Sequence, residues 1–434
     1  MPNIRPFEIA LIASFIIAAL IGVFFLATHK TDTEKDQALY GSSFMIWGTI
    51  DEQVMTAFLK KVVDEDDALK VVQYRRVDPR SFENELVNAI AEGRSPELIL
   101  IPHTFLAQLR TKLQPIPFTT FPERTFRDTY VDGAAIFMPS DGVYGFPIAV
   151  DPMVMYWNRD LFSSSGLAQP PKTWESLVNE TAPAITRTSD RREVLQSAMS
   201  FGEYVNVAHA KEILSMLFIQ AGSTIVNEQG KSYAVTLNQS TTGGLMPGES
   251  VLPFYTQFAN PEKSLYSWNR SLPLDRTAFL QNTLALYFGF GSERTAIERE
   301  SPNLNFDMTE VPQGSGATIR RDYGEFYAFA IPRGSRNPTG AYAVATLFGN
   351  AQNATYIASG LGMAPVHRAE LGTAGADLYK GILYEAALIA RGWLDPNPDQ
   401  SAAVFRQMVE EAATSEGRLQ QIINDAAHRL QALF

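Results

Sequence analysis

The stretch from Tyr144 to Leu177, YGFPIAVDPMVMYWNRDLFSSSGLAQPPKTWESL, constrains the fold more than any other. Its first part, Tyr144 to Trp157, is apolar and rich in β-branched and aromatic residues, which suits a strand buried on both faces in the middle of a sheet. Asp151-Pro152 interrupts it. Proline gives no N–H to a ladder and pushes the residue before it into extended backbone. The strand is therefore expected to change partners at Asp151. Asn158-Arg159-Asp160 then opens a short helix that Ser163 to Gly166 ends. Pro170-Pro171-Lys172 is a rigid extended piece. Thr173 is a good N-cap for a helix starting at Trp174, because its hydroxyl can accept an orphan backbone N–H.

Upstream, Ser43 to Trp47 reads as a strand. A helix begins at Asp51 or Glu52 with Val54, Met55, Phe58 and Leu59 on one face. Lys70 to Tyr74 and Leu98 to Ile101 read as the second and third strands, with a helix from Arg80 to Ala91 between them. Strands alternating with helices imply βαβ units and parallel strands. Ligands of such sheets sit beyond the carboxyl ends of strands. Sequence order alone thus picks out Trp47-Gly48-Thr49 and Pro102-His103-Thr104. Downstream, Glu175 to Ala182, Arg192 to Ser200 and Val207 to Ala221 read as helices, and Phe201 to Asn206 as a polar and aromatic break. Leu284 to Phe290 reads as a strand ending at Gly291, and Tyr323 to Pro332 as a strand that returns to the first set. There is no internal repeat.

The combination resembles the family 1 extracellular solute-binding proteins of ABC transporters, the maltodextrin-binding group. Tyr144-Gly145-Phe146-Pro147, the acidic Asp151, Asn158-Arg159-Asp160 and Pro170 to Trp174 match that family's inter-lobe strand, crossing residue, turn and helix start. The resemblance runs from about Ser43 to the C-terminus. Departures are Glu97 in place of an aspartate and Ser223 in place of the second glycine of a double-glycine turn. The resemblance implies an α/β, type II two-lobe fold with three inter-lobe crossings. Residues 43–150 plus 330–366 would form one lobe, and 151–329 plus 367–434 the other.

The chain has 434 residues, enough for two domains of ordinary size. Its net charge of −11 disfavours non-specific binding to nucleic acid. The absence of cysteine excludes disulfides, thiolate metal sites and a lipidated N-terminal cysteine. A different anchor is expected at Ile9 to Ala27, a run without charge that spans roughly 28 Å as a helix at ~1.5 Å per residue, against a hydrocarbon core of ~30 Å. Signal-peptide cleavage after Ala27 would place Phe25 at the −3 position, where small residues belong. Residues 28–42 read as a polar linker. Arg5 favours an orientation with the N-terminus inside, leaving the lobes extracytoplasmic on a single-pass membrane protein.

An aromatic face can stack on a sugar ring while amides and carboxylates bond its hydroxyls. Trp47, Trp268 and Trp393 lie at expected element ends, with core packing as the competing reading. Trp157 and Trp174 sit inside strand and helix patterns and read as structural. In the resembled family the acidic residue at the crossing bonds ligand hydroxyls, which implies that role for Asp151; hinge capping is its alternative. The family's loop at Tyr204 and Asn206 adds those two, and the strand end adds Phe290 and Gly291. Glu325 and Tyr327 lie on the second crossing, and His103 is at a strand end. The histidines form no metal-spaced set, and neither a P-loop nor a GxSxG elbow is present. No metal, cofactor or catalytic residue is expected. The implied function is capture of a small solute, a sugar or oligosaccharide first, by lobe closure and delivery to ABC permease subunits. The alternative is an anchored extracytoplasmic glycosidase, since carboxylates near aromatics also describe such sites.

Overall fold

The computed structural model describes residues 39–434 apart from 231, 241–243, 245, 374–376 and 415. The expected anchor and most of the expected linker lie outside the described residues. Among those described, no helix is long and apolar enough to cross a membrane.

The first lobe is built on β1 (Phe44–Gly48), which pairs in parallel with β2 (Val72–Arg76) and with β3 (Leu98–Pro102). Helices α1 (Glu52–Glu65) and α2 (Phe82–Ala91) make the crossovers. Asp51 starts α1 by accepting from the N–H groups of Gln53 at 2.7 Å and Val54 at 3.3 Å. Met55, Phe58 and Val62 then fall on one stripe and are buried. The start of the described chain is tied to this lobe: Asn337 Nδ2 donates to the Leu39 carbonyl at 2.6 Å, and Tyr40 is buried.

Two long strands join the lobes. β4 (Phe146–Asn158) is buried at every position. β11 (Asp322–Ala330) runs antiparallel to it and to β3. β4 faces β11 from Phe146 to Pro152, and from Met153 onward it is flanked by β9 (Leu284–Phe290) and β10 (Phe306–Glu310). The partner change expected at Asp151 falls at Pro152, where the missing N–H ends one ladder. The main sheet continues through β9 to β6 (Val194–Met199) and β5 (Arg187–Thr188). Ala364–Pro365 adds a short strand, β12, against Val150 and Ala149 of β4, and Ala390–Arg391, β13, pairs with the start of β11.

The helix expected at Arg192 to Ser200 is strand β6, in register with β9 through Ser197–Leu284 and Met199–Leu286. Arg192 has a φ of 61°, which breaks any helix there. Six apolar and small residues do not separate a helical from an extended period, and the open edge of β9 decides the outcome. Other expected signals appear in the structure. Thr173 Oγ1 caps Ser176 N at 3.1 Å, and Asn158 Oδ1 caps Asp160 N and Leu161 N.

The second lobe adds the buried helix α3 (Ala210–Gln220) and three later helices, α4 (Leu378–Ile389), α5 (Pro398–Thr414) and α6 (Leu419–Gln431). A hairpin of β7 (Val226–Gln229) and β8 (Ser232–Val235) reaches back to the first lobe. There the Arg110 guanidinium donates to Tyr233 Oη, Asp141 Oδ1 and Glu228 Oε1, each at 2.8 Å.

Candidate functional site

A cavity of about 250 Å³ lies between the lobes at the carboxyl ends of β1 and β3. Thr49, Pro102, Thr104 and Phe105 line it from the first lobe, Lys211, Glu212 and Pro398 from the second, and Glu325 and Tyr327 from β11. This is where ligands of open α/β sheets belong. A larger cavity of about 440 Å³ also touches both lobes, but its lining comes from turns, α3's far end, β7 and β13 rather than from β1 or β3. The strand-end rule therefore selects the smaller one as the candidate site.

The smaller cavity is charged. Glu325 Oε2 accepts from Tyr327 Oη at 2.5 Å, and Oε1 from Thr104 Oγ1 at 3.4 Å. Burial raises the Glu325 carboxyl above the usual carboxylate range, and Glu212 adds to the rise, while the Tyr327 bond and Lys211 oppose it. Lys211 Nζ donates to Asp395 Oδ2 at 2.9 Å and to the Pro398 carbonyl at 3.2 Å. Burial pulls its ammonium down, but Asp395 and Glu212 outweigh burial and hold it above the ordinary lysine value. Lys211 is thus a cation already neutralised by a buried aspartate. Glu212 lies 4.0 Å from Lys211 and Glu325 has no cation within ion-pair distance among the described residues. The free hydrogen-bonding capacity of the cavity is mainly acceptor, which suits hydroxyl or amine donors on a solute. Phe105 and Tyr327 supply flat apolar surface beside it.

Thr49, Glu325 and Tyr327, all expected from sequence, are brought together here. Asp151 stands directly opposite Glu325 in the β4–β11 register. It is 4% exposed, and Oδ1 accepts from Ser292 N at 3.1 Å, so it caps the turn after β9. Burial pushes its carboxyl up to about 7, with Ser292 opposing and Glu325 and Glu293 adding to the shift. Phe290 is half-buried, its ring centroid 5.0 Å from that of His209 in an edge-to-face arrangement. Gly291 leaves space that Leu383 fills: a Cβ there would stand 2.2 Å from Leu383 Cδ2.

The remaining expected residues lie in the packing around the cavity. Trp47 is buried under the Arg75 guanidinium, 4.8 Å from its ring, and a Cβ on Gly48 would meet Tyr74 Oη at 2.6 Å. Trp268 is 1% exposed and donates to Asn206 Oδ1 at 3.2 Å. Asn206 in turn donates to the carbonyls of Asn269 and Leu272, which makes it the knot of a loop; Tyr204 is half-buried beside it. Trp393 is 3% exposed, stacks on Phe405 and donates to Ser215 Oγ at 3.1 Å. The indole N–H groups of Trp268 and Trp393 have internal partners, which is how a tryptophan is accommodated in a core. His103 is fully buried. Its Nδ1 accepts from Phe326 N at 3.1 Å, its Nε2 has no partner, and burial with a smaller push from Lys211 lowers it to about 3. It is a neutral imidazole that packs against Gly392, where a Cβ would come within 2.5 Å of Nε2.

Sequence reasoning missed Lys211 and Glu212. Both fall in the first turn of an otherwise apolar helix, directly after the loop that had been singled out, and that placement was the available signal. It also missed His209–Glu293, a 2.8 Å pair behind the cavity. Burial lowers the imidazole, but the Glu293 bond and charge outweigh it and raise the pKa to about 9. No group of three or more metal-ligating side chains occurs among the described residues.

Residues 53–371 match the family model described as bacterial extracellular solute-binding protein. A protein of Brucella abortus (strain 2308) described as a binding protein is 22% identical over 377 residues, which cover 81% of this chain and 82% of that one. Among solved structures, a cyclo/maltodextrin-binding protein complexed with maltotetraose superposes with a TM-score of 0.71 at 14% identity, covering 90% of this chain and 97% of the other. The cyclic alpha-maltosyl-1,6-maltose binding protein of Arthrobacter globiformis gives 0.71 at 16% identity, with 90% and 98% covered. An ABC transporter solute-binding protein of Thermotoga lettingae bound with alpha-D-tagatose gives 0.67 at 19%, with 91% and 100% covered. At these identities the structural likeness is one of fold, the two-lobe periplasmic-binding-protein-like architecture.

Proposed function

The chain belongs to the bacterial extracellular solute-binding protein family, and from that premise we propose that it captures a sugar or short oligosaccharide between its lobes and delivers it to the permease of an ABC transporter. The observation that carries this reading is the cavity at the ends of β1 and β3, lined by both lobes and by β11. Its volume of about 250 Å³ sits just below the ~300–1,000 Å³ usual for small-molecule sites, which favours a ligand of one or two rings over a long chain. Glu325, Glu212 and Thr104 accept from or donate to ring hydroxyls, and Tyr327 and Phe105 give the ring a face. The sugar complexes among the fold relatives point the same way. Asp151 acts in this scheme by holding the Ser292 turn beside Glu325.

Lobe division falls near Asp151, with residues 43–150 and 330–366 moving against 151–329 and 367–434. Ligand favours closure only through its extra affinity for the closed arrangement. The apolar run at 9–27 tethers the lobes on the extracytoplasmic side, within reach of the permease. A thermal-shift panel of mono-, di- and trisaccharides tests the reading. A ligand present at ~100 times its dissociation constant stabilises the fold by about 2.7 kcal/mol, so a cognate sugar produces a clear rise in melting temperature. A rise with none of them, or turnover of any, contradicts it. Retention of the full chain in membranes washed with alkaline carbonate tests the tether, and a mature N-terminus near Thr28 would remove it.

A further inference from the structure

The larger inter-lobe cavity lies behind the crossing strands. Successive residues of a strand face opposite sides of a sheet. Glu325 and Tyr327 of β11 line the solute cleft. Phe326, between them, faces the other way, against the turn Asp132–Phe137: a Cβ on Gly133 would stand 2.2 Å from its ring. That turn forms one wall of the rear cavity. Ile219 at the end of α3, with Ser223 and Thr224 beyond it, forms another, and Arg321 and Arg391–Leu394 are also in the lining. At about 440 Å³ it is roomy enough for a small molecule.

Its unpaired charged group differs in sign from that of the cleft. Asp132 is shared by two guanidinium groups, Arg391 at 3.0 Å and Arg368. Arg321, the third, donates from Nη1 to the Ile219 carbonyl at 3.3 Å and stands in no ion pair among the described residues. Glu228 also borders the cavity, but its carboxylate is held by Arg110 at 2.8 Å. Burial lowers the Arg391 guanidinium from its ordinary value, Asp132 opposes this, and Arg321 and Arg368 push further in the direction of burial. Asp132 and Glu228 are thus answered by Arg391 with Arg368 and by Arg110, and Arg321 is the charged group of the lining left without an ion pair among the described residues. Arginine offers a planar fork of donors suited to carboxylate and phosphate oxygens. We infer that the rear cavity is a second ligand site, for a small carboxylate- or phosphate-bearing anion held by Arg321 and in contact with both lobes. The site is separate from the cleft, and its existence does not depend on what the cleft binds.

The test titrates the full chain with inorganic phosphate and, separately, with citrate, at constant ionic strength held with sodium chloride, by calorimetry and thermal shift. Saturable binding of at least one of the two is expected. Arg321→Gln should weaken it at least tenfold, Arg321→Lys by less, and Glu325→Gln in the cleft should leave it within twofold. Comparison of phosphate with citrate tells which oxyanion the fork prefers. Equal binding by wild type and Arg321→Gln overturns the inference. So does loss in Glu325→Gln with retention in Arg321→Gln, which would put the anion in the cleft. No saturable response to either anion overturns it as well. Melting of each variant in sodium chloride alone shows whether it is folded. Should Arg321→Gln fail that control, the comparison of Arg321→Lys with wild type decides, because a lysine that binds as tightly as arginine contradicts recognition by a guanidinium fork.

Discussion

The two cavities between the lobes share a set of crossing strands and differ in what remains unpaired within them. In front, the one ammonium, Lys211, is engaged by Asp395 and lies 4.0 Å from Glu212, and the carboxyl without a cation is that of Glu325. Behind, the one carboxylate at the Asp132 turn is engaged twice, and the unpaired group is the guanidinium of Arg321. The difference teaches that the alternation of a strand sorts chemistry as well as burial. Glu325 and Phe326 are neighbours in sequence, yet one shapes a polar cleft and the other supports the wall of the rear cavity.

The largest expected effect comes from breaking the front ion pair. Lys211→Ala leaves Asp395, 1% exposed, without its cation, and loss of one partner of a buried pair costs about 3–5 kcal/mol. Chemical denaturation should show it, and Asp395→Leu combined with Lys211→Met should recover most of the loss. Recovery identifies the cost as uncompensated charge rather than lost solute contact. Next is Glu325→Gln, which keeps the shape and removes the charge. It should weaken solute binding about ten- to a hundredfold, from the roughly 1.5–3 kcal/mol of a hydrogen bond to a charged group.

Asp151 separates the crossing from the cleft. Its folded pKa of about 7 lies above its ordinary 3.8, so the native state binds the proton more tightly and stability falls as pH rises from about 4 to about 7. Asp151→Asn, which still accepts from Ser292 N, should flatten that window and melt higher than wild type above pH 7. Asp151→Ala should lower stability by about 1 kcal/mol, the scale of a lost cap. His209 behaves in the opposite range. Its pKa is raised from 6.5 to about 9 by Glu293, so its contribution is full below pH 6.5 and is lost as pH rises through about 9. Melting curves of His209→Gln from pH 6 to 9.5 should lack that decline. The smallest effect is expected behind the crossing. Asp132 is well exposed, so Asp132→Asn should shift stability by no more than about 1 kcal/mol, although it makes the rear cavity more positive.

The fold was legible because its signals are local and strong. Tyr144 to Trp157 announces a buried strand by composition, Pro152 marks where its ladder changes, and Thr173 and Asn158 cap the helices expected of them. Strand β6 was not legible, because Val194 to Met199 is too short to show its period and takes its form from β9. The cleft was half legible. Thr49 and Glu325 follow from strand ends and crossings, but Lys211 and Glu212 reach the cleft through the packing of α3, of which their place in its first turn is the one local sign. The tryptophans pose a related difficulty. Trp268 and Trp393 lie at element ends, where sequence alone cannot tell a cleft rim from a core, and their indole partners Asn206 and Ser215 are distant in the chain.

Titration calorimetry with the sugar that most stabilises the chain, on wild type, Glu325→Gln and Arg321→Gln side by side, tests the central claim most directly. The cleft described above predicts one site per chain, an affinity at least tenfold weaker in Glu325→Gln, and an affinity unchanged within twofold in Arg321→Gln. Sugar binding untouched by Glu325→Gln but lost in Arg321→Gln would contradict it and move the solute to the rear of the crossing.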